Sequence, residues 1–213
     1  MQLTITQLYQ KMRRQMGPSG WWPADSKEEI VIGAILIQNT NWRNADRALN
    51  LLRQATGLQP DRILALTMDQ LHDLVRPAGF YRNKSKALVS VLSWLARGNY
   101  DYPAIRQHYG SRLRQELRAL HGVGPETADV LLTYIFDVPT FISDKYARTL
   151  FTYLGVTGLT DYQSLSQRCN LPDDFTPAMA KDFHGLIDEF GKVYFHPRDK
   201  FATSFLSDDT LAL

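Results

Sequence analysis

The chain has 213 residues, 44% of them hydrophobic, a formal net charge of +2 and a single cysteine. That length can bury a substantial core, and no apolar run approaches the roughly twenty residues needed to cross a bilayer, so a soluble globular protein without a membrane partner is expected. The opening residues lack the basic, apolar and small-residue order of a secretion signal, which together with the lone Cys169 points to a reducing cytoplasm.

Taken in chain order, the elements read as helices throughout. Ser26 with Glu29 three residues on is a capping-box signature before EIVIGAILIQNT. The apolar spacing in LNLLRQATGL, ILALTMDQLHDLV, SKALVSVLSWLARG and LRQELRALHG follows a helical period rather than strict alternation. Breaks are predicted at Gly57 to Asp61, Arg76 to Gly79, Gly98 to Pro103 and Gly110. The expectation is an all-α fold of about ten short helices, with neither an internal repeat nor a low-complexity tract.

The charge is informative only where it gathers. Arg76, Arg82, Lys84 and Lys86 surround one Gly-containing loop, a pattern shared by a nucleic-acid contact and by a solvated helix face. Histidines offer little, because His184 and His196 lie twelve positions apart without metal-ligand spacing, and both read as surface or helix-packing residues. Cys169 reads as a partly buried small side chain rather than a nucleophile.

One stretch carries more. Leu120 to Asp144 reads LHGVGPETADVLLTYIFDVPTFISD, in which Gly122 and Gly124 bracket Val123 between two apolar helical runs. The chain must turn within about four residues, and glycine permits the positive φ angles and close approach such a turn needs. Pro125 suits the first turn of the following helix, since it has no N–H and a preset φ. The N–H groups of this turn either simply cap a helix–helix corner or form a concave donor surface for an anion such as a phosphate. Asp144 likewise has two readings: an N-cap for the helix KYARTLFTYLG, or a catalytic carboxylate.

The pattern LxGVGPxTAD followed by SDKYARTL resembles the helix-hairpin-helix and trailing aspartate of the HhH-GPD DNA glycosylase superfamily. WWPADSKEEIVIGAILIQNTNW (Trp21 to Trp42) and RPAGFYRNKSKAL (Arg76 to Leu88) extend the likeness to endonuclease III relatives. They look most like the small iron-free branch that includes 3-methyladenine DNA glycosylases. The resemblance implies a two-lobed helical fold. Residues 25–136 would form a central helical barrel containing the hairpin, and residues 1–24 with 137–213 a discontinuous lobe carrying Asp144, with an active cleft between them.

It also implies roles. Asp144 would stabilise an oxocarbenium-like sugar and orient or deprotonate water. Gly122, Val123, Gly124 and Thr127 of the hairpin would grip the DNA backbone, with Arg82 and Lys84 beside them. The backbone carbonyls of Arg118, Leu120 and Val123 would hold a monovalent cation, K+ or Na+. Gln38 would fill the gap left by an extruded nucleotide and Phe80 would wedge the opposite strand, although a polar helix end and an aromatic packed under a loop explain the same residues. Trp21 and Trp42, with Glu126, would contact the base. A cationic alkylated purine would stack on indole with about 0.5–2 kcal/mol, core packing being the competing account of each tryptophan.

Two departures from endonuclease III shape the expected chemistry. Where the lyase branch carries a Schiff-base lysine, two residues after the second hairpin glycine, this chain has Glu126, which cannot form an imine. Four thiolates for an iron–sulfur cluster are missing, only Cys169 being present. The expectation is therefore a monomeric, monofunctional DNA glycosylase that needs no cofactor and releases a damaged base, with an alkylated purine as the candidate, from double-stranded DNA. The alternatives are an endonuclease III-like glycosylase/lyase using Lys145 or another amine, and a non-catalytic binder of distorted DNA.

Overall fold

The computed structural model describes residues 1–213, the side chains of residues 198 and 199 excepted. In chain order it runs β1 (Gln2–Leu3), α1 (Ile5–Met16), α2 (Lys27–Leu36), α3 (Trp42–Thr56), α4 (Pro60–Leu64), α5 (Met68–Val75), α6 (Tyr81–Arg97) and α7 (Tyr102–Tyr109). It continues with α8 (Leu113–Ala119), α9 (Pro125–Tyr134), α10 (Lys145–Tyr153), α11 (Tyr162–Ser166), α12 (Pro177–Tyr194) and β2 (Thr210–Leu211). Short 3-10 segments at Arg76–Ala78, Gly110–Arg112 and Arg198–Thr203 fill three of the junctions. The chain divides into a continuous unit, Ala24–Phe136, and a discontinuous one, Met1–Pro23 with Asp137–Leu213.

Local chemistry sets most helix ends. Asn41, Thr67, Asp101, Asp144 and Thr176 each accept a backbone N–H at the start of the helix they cap. Gly57, at φ +64°, turns the chain out of α3, and Pro60 opens α4. The Ser26 capping box forms only by half. Ser26 Oγ accepts the Glu29 N–H at 3.1 Å, but the Glu29 carboxylate accepts from the N–H of Asp25 and pairs with Arg53. Arg53 on α3 offers a charged partner that the reciprocal cap would forgo.

In the continuous unit α2 and α9 are buried nearly all round, as helices at the centre of a bundle must be. They pack on each other, and α6 packs on α2 with Ala87, Leu88, Val91, Leu92 and Leu95 buried. Arg114 on α8 holds Asp129 on α9 through two hydrogen bonds, Nε to Oδ1 at 2.6 Å and Nη2 to Oδ2 at 2.9 Å. This planar fork fixes the two helices that meet at the hairpin.

The discontinuous unit has its own core on α1, α10 and α12, with Leu8, Met12, Leu150, Phe151, Phe183, Leu186 and Phe190 buried. The N-terminal segment is tied to α12 at Asp182, whose carboxylate accepts from the Ser19 N–H at 2.8 Å, from Arg13 at 3.0 Å and from the Tyr9 hydroxyl at 3.2 Å. Unexpectedly for an all-helical reading, β1 and β2 pair in parallel, Gln2 with Thr210 and Leu3 with Leu211. Two-residue strands leave no alternation to detect, and their partners lie two hundred positions apart. No helix of the described residues is long and apolar enough to cross a membrane.

Candidate active site

The hairpin joins α8 to α9 through residues 120–124. Gly122 has φ +77°, the left-handed conformation that glycine adopts without strain. A Cβ there would also lie 2.5 Å from Ala87 Cβ on α6, so the hairpin sits against that helix because the side chain is missing. Gly124 is different from what its place in the motif suggests. It is the N-cap of α9 in extended conformation, φ −80°, and a Cβ there would meet nothing within 4 Å. Its lack of side chain bares the start of a ten-residue helix that no side chain caps. Donor groups at such an end suit an anion.

Several motif residues face inward. Val123 is buried, with its N–H donating to Leu120 O at 3.2 Å, and Thr127 is buried with its hydroxyl accepting from Gln38. Gln38 Nε2 donates to Gly122 O at 3.0 Å and to Thr127 Oγ1 at 2.9 Å, so this amide, expected in a DNA gap, here ties the residues after α2 to the hairpin. Glu126 is exposed in the first turn of α9.

At the start of α6 the structure separates two cations that the sequence groups. Arg82 is exposed, its guanidinium 5.7 Å from the Tyr81 ring centre. Lys84, expected beside it against DNA, is 2% exposed, and its Nζ donates to Leu36 O at 2.8 Å and Ala78 O at 2.7 Å. That corrects the expectation: residues two apart on a helix point to different faces, and this ammonium closes the last turn of α2. Burial pushes it down to about 8. Phe80, by contrast, stands 67% exposed on a left-handed backbone, φ +46°, immediately before α6. A bulky residue held in that conformation with its ring in solvent is a costly arrangement, of the kind found at functional positions.

In the discontinuous unit Asp144 is the N-cap of α10, its Oδ1 accepting the Ala147 N–H at 2.7 Å. The cap is thus present, and a helix N-terminus favours the ionised carboxylate that the catalytic reading would need. Its Oδ2 lies 3.9 Å from His184 Nε2 on α12. His184 packs largely out of solvent, its side chain 11% exposed, which is the helix-packing half of its expectation, and desolvation with the nearby Lys192 charge pushes it down to about 4, so the imidazole is neutral at ordinary pH. One and two turns further along the same helix stripe, Asp188 pairs with Lys192 at 2.6 Å, and Lys192 also reaches Glu189 at 2.7 Å. The Tyr146 hydroxyl titrates higher than usual because of burial and the Asp188 charge.

Lys192 Nζ sits 4.5 Å from the centre of the Trp21 ring. One face of this indole therefore meets a protein cation, so the cationic base expected on this ring would share it with a like charge, two positive charges competing for one quadrupole. Gly185 admits the tryptophan, since a Cβ would fall 2.3 Å from Trp21 Cβ and 2.4 Å from Ser19 Oγ. Trp42 opens α3 in the continuous unit and is 38% exposed, so the two tryptophans belong to different units. Lys145 is exposed beside Asp144, bordering a groove of about 230 Å³ with Arg148, Thr149, Thr152 and Tyr153. Cys169 is fully rather than partly buried, and burial pushes its thiol up to about 12, so it is no nucleophile.

The model of the HhH-GPD superfamily base excision DNA repair proteins matches residues 32–171, a span holding both the hairpin and Asp144. The chain belongs to this superfamily. Among curated relatives, the HhH-GPD chain is 37% identical over 195 residues to "Putative DNA repair glycosylase MJ1434" of Methanocaldococcus jannaschii, covering 89% of this chain and 88% of that one. It is 27% identical to Endonuclease III of Sulfolobus acidocaldarius, covering 76% and 75%. In fold it is similar to the Helicobacter pylori 3-methyladenine DNA glycosylase crystallised with 1,N6-ethenoadenine, with TM-score 0.69, 24% identity and coverage of 89% and 98%. It is also similar to a trapped endonuclease III–DNA covalent intermediate, with TM-score 0.68, 20% identity and coverage of 89% and 85%.

Sequence reading of this HhH-GPD chain located the hairpin and the following carboxylate but left His184 as a surface or helix-packing residue. A histidine, an aspartate and a lysine at i, i+4 and i+8 on one helix were a usable signal. Without the turn of chain that places Asp144 opposite, nothing distinguished that stripe from a solvated face.

Proposed function

We propose that this protein is a monofunctional DNA glycosylase that hydrolyses the N-glycosidic bond of a damaged base extruded from duplex DNA. The observation that carries this reading is Asp144. It belongs to the matched family span, is held by a helix N-terminus, and has a carboxylate oxygen turned to a neutral imidazole. An ionised carboxylate so placed stabilises positive charge on the sugar as the base departs and takes the proton of the attacking water. The first turn of α9 receives a backbone phosphate, Arg82 adds charge, and Phe80 replaces stacking lost by base extrusion. Glu126 at the hairpin supports hydrolysis over imine formation, because a carboxylate cannot supply the amine.

A monovalent cation at the carbonyls of Arg118, Leu120 and Val123 fits this hairpin. Leu120 O accepts the Val123 N–H at 3.2 Å and keeps a second lone pair, and neutral carbonyls are the donors such ions take. The cation would hold the loop closed and add positive charge where a phosphate docks.

The proposed substrate is a damaged purine. Because Lys192 already occupies a face of Trp21, a neutral adduct such as 1,N6-ethenoadenine is favoured over cationic 3-methyladenine. The test is single-turnover base release from duplexes carrying ethenoadenine, 3-methyladenine, uracil, an oxidised pyrimidine or an abasic site, with and without alkali, beside Asp144→Asn. Strand breaks that need alkali and vanish in the variant establish the reading. Breaks without alkali mean a lyase, and binding without any release means a recognition protein.

A further inference from the structure

His184 lies against the Asp144 carboxylate, and the proposed reaction has not used it. An imidazole so far removed from solvent costs more than a leucine of similar volume unless its nitrogens are bonded, and one of them faces the Asp144 carboxylate. The Asp144 carboxylate is gripped on one oxygen by the Ala147 N–H at 2.7 Å, while the other oxygen faces His184 Nε2 across 3.9 Å. That separation is too long for a direct hydrogen bond and suits either one intervening water or the tightening that such contacts undergo when substrate binds.

We infer that His184 is a positioning residue for Asp144, its Nε2–H holding Oδ2 while the α10 N-terminus holds Oδ1, so that the carboxylate plane is fixed from both sides. This rests on the glycosylase reading for its consequence but not for its geometry. A neutral donor is the right kind of partner. An imidazolium would pair with the carboxylate and lower its basicity, whereas a neutral N–H orients it and leaves its charge for the sugar cation. Burial and Lys192 keep the ring neutral. Among the groups described on α10 and α12, Asp144 and Tyr146 lie on the α10 side and Asp188, Glu189 and Lys192 on α12, the Lys192 ammonium pairing with both carboxylates of its own helix. Gly185, next in sequence, and Gly191 keep α12 close to its neighbours, the latter meeting Tyr146 at 2.2 Å from an added Cβ, so the histidine cannot move away without repacking the helix.

Three measurements on the full chain test this. In the DNA-free wild type, nitrogen-15 NMR of His184 should show the neutral tautomer with the proton on Nε2; a proton on Nδ1 overturns the assignment without any variant. Carboxyl carbon-13 titration should place the Asp144 midpoint about one unit higher in His184→Phe than in wild type, with His184→Gln, which retains an N–H donor, staying close to wild type. On an ethenoadenine or 3-methyladenine duplex, His184→Phe should lose about tenfold or more in single-turnover rate with DNA affinity unchanged, its acidic limb moving to higher pH, and His184→Gln should recover most of the loss. Equal behaviour of folded Phe and Gln variants, or an unmoved Asp144 midpoint, refutes the positioning role. If the wild type releases no base at all, the glycosylase reading fails while the two NMR results still decide the role of His184.

Discussion

Gly122 and Ala87 are in contact only because neither carries more than a methyl group: a Cβ on the glycine would lie 2.5 Å from that of the alanine. The hairpin is thereby seated on α6, and its second glycine is left with another task. Gly122→Ala should destabilise the protein by about 1–3 kcal/mol through crowding and the positive φ. Gly124→Ala, at an ordinary φ with open space around it, should melt like wild type yet weaken DNA binding similarly across sequences, because it stands in the path of a phosphate. Thermal melting and fluorescence anisotropy separate the two effects; a Gly124 variant that melts early would contradict the division of labour.

The two cations at the start of α6 should part in a salt titration. Arg82→Met is expected to reduce the slope of log affinity against log salt by about one, as one phosphate contact would. Lys84→Met should leave that slope alone and lower stability instead, by about 1–3 kcal/mol, since Leu36 O and Ala78 O lose their donor inside the protein. An altered slope in folded Lys84→Met would return that residue to the DNA interface.

Acid should expose the buried histidine. His184 is held down to about 4 in the folded state against an ordinary value of 6.5. Well above pH 6.5 the ring is neutral whether folded or not, so this group does not change stability there. As pH falls from 6.5 towards 4 the unfolded chain takes up a proton that the folded one refuses, and stability is lost, up to about 3 kcal/mol from this group. Urea melts of wild type and His184→Leu across pH 4 to 7 measure this. The variant's stability should fall less steeply over that window, and parallel curves would show that His184 titrates normally.

The hairpin carboxylate can be tested by replacement. Glu126→Lys places an amine where the lyase branch of the superfamily carries its own. Borohydride trapping on an abasic duplex should then yield a covalent adduct that the wild type does not form. A wild-type adduct of equal yield would show that another amine, with exposed Lys145 the first to examine, already serves as nucleophile.

What the sequence by itself determined are the features written within a few residues. The caps at Ser26 and Asp144, the prolines at α4, α9 and α12, the glycine exit at Gly57 and the helical spacing of the apolar residues all depend on i to i+4 chemistry. Those signals are enough for an all-helical chain with a hairpin and a following carboxylate. Only the tertiary structure decided which of two neighbouring cations is buried, that the Gln38 amide holds the hairpin, that a lysine rather than a base covers one face of Trp21, and that His184 stands beside Asp144. Each of these is set by which element packs opposite, across separations of 40 residues for Asp144 and His184 to 171 for Trp21 and Lys192. Over such distances a side chain's partner follows from the packing of whole elements rather than from the residues beside it in the chain.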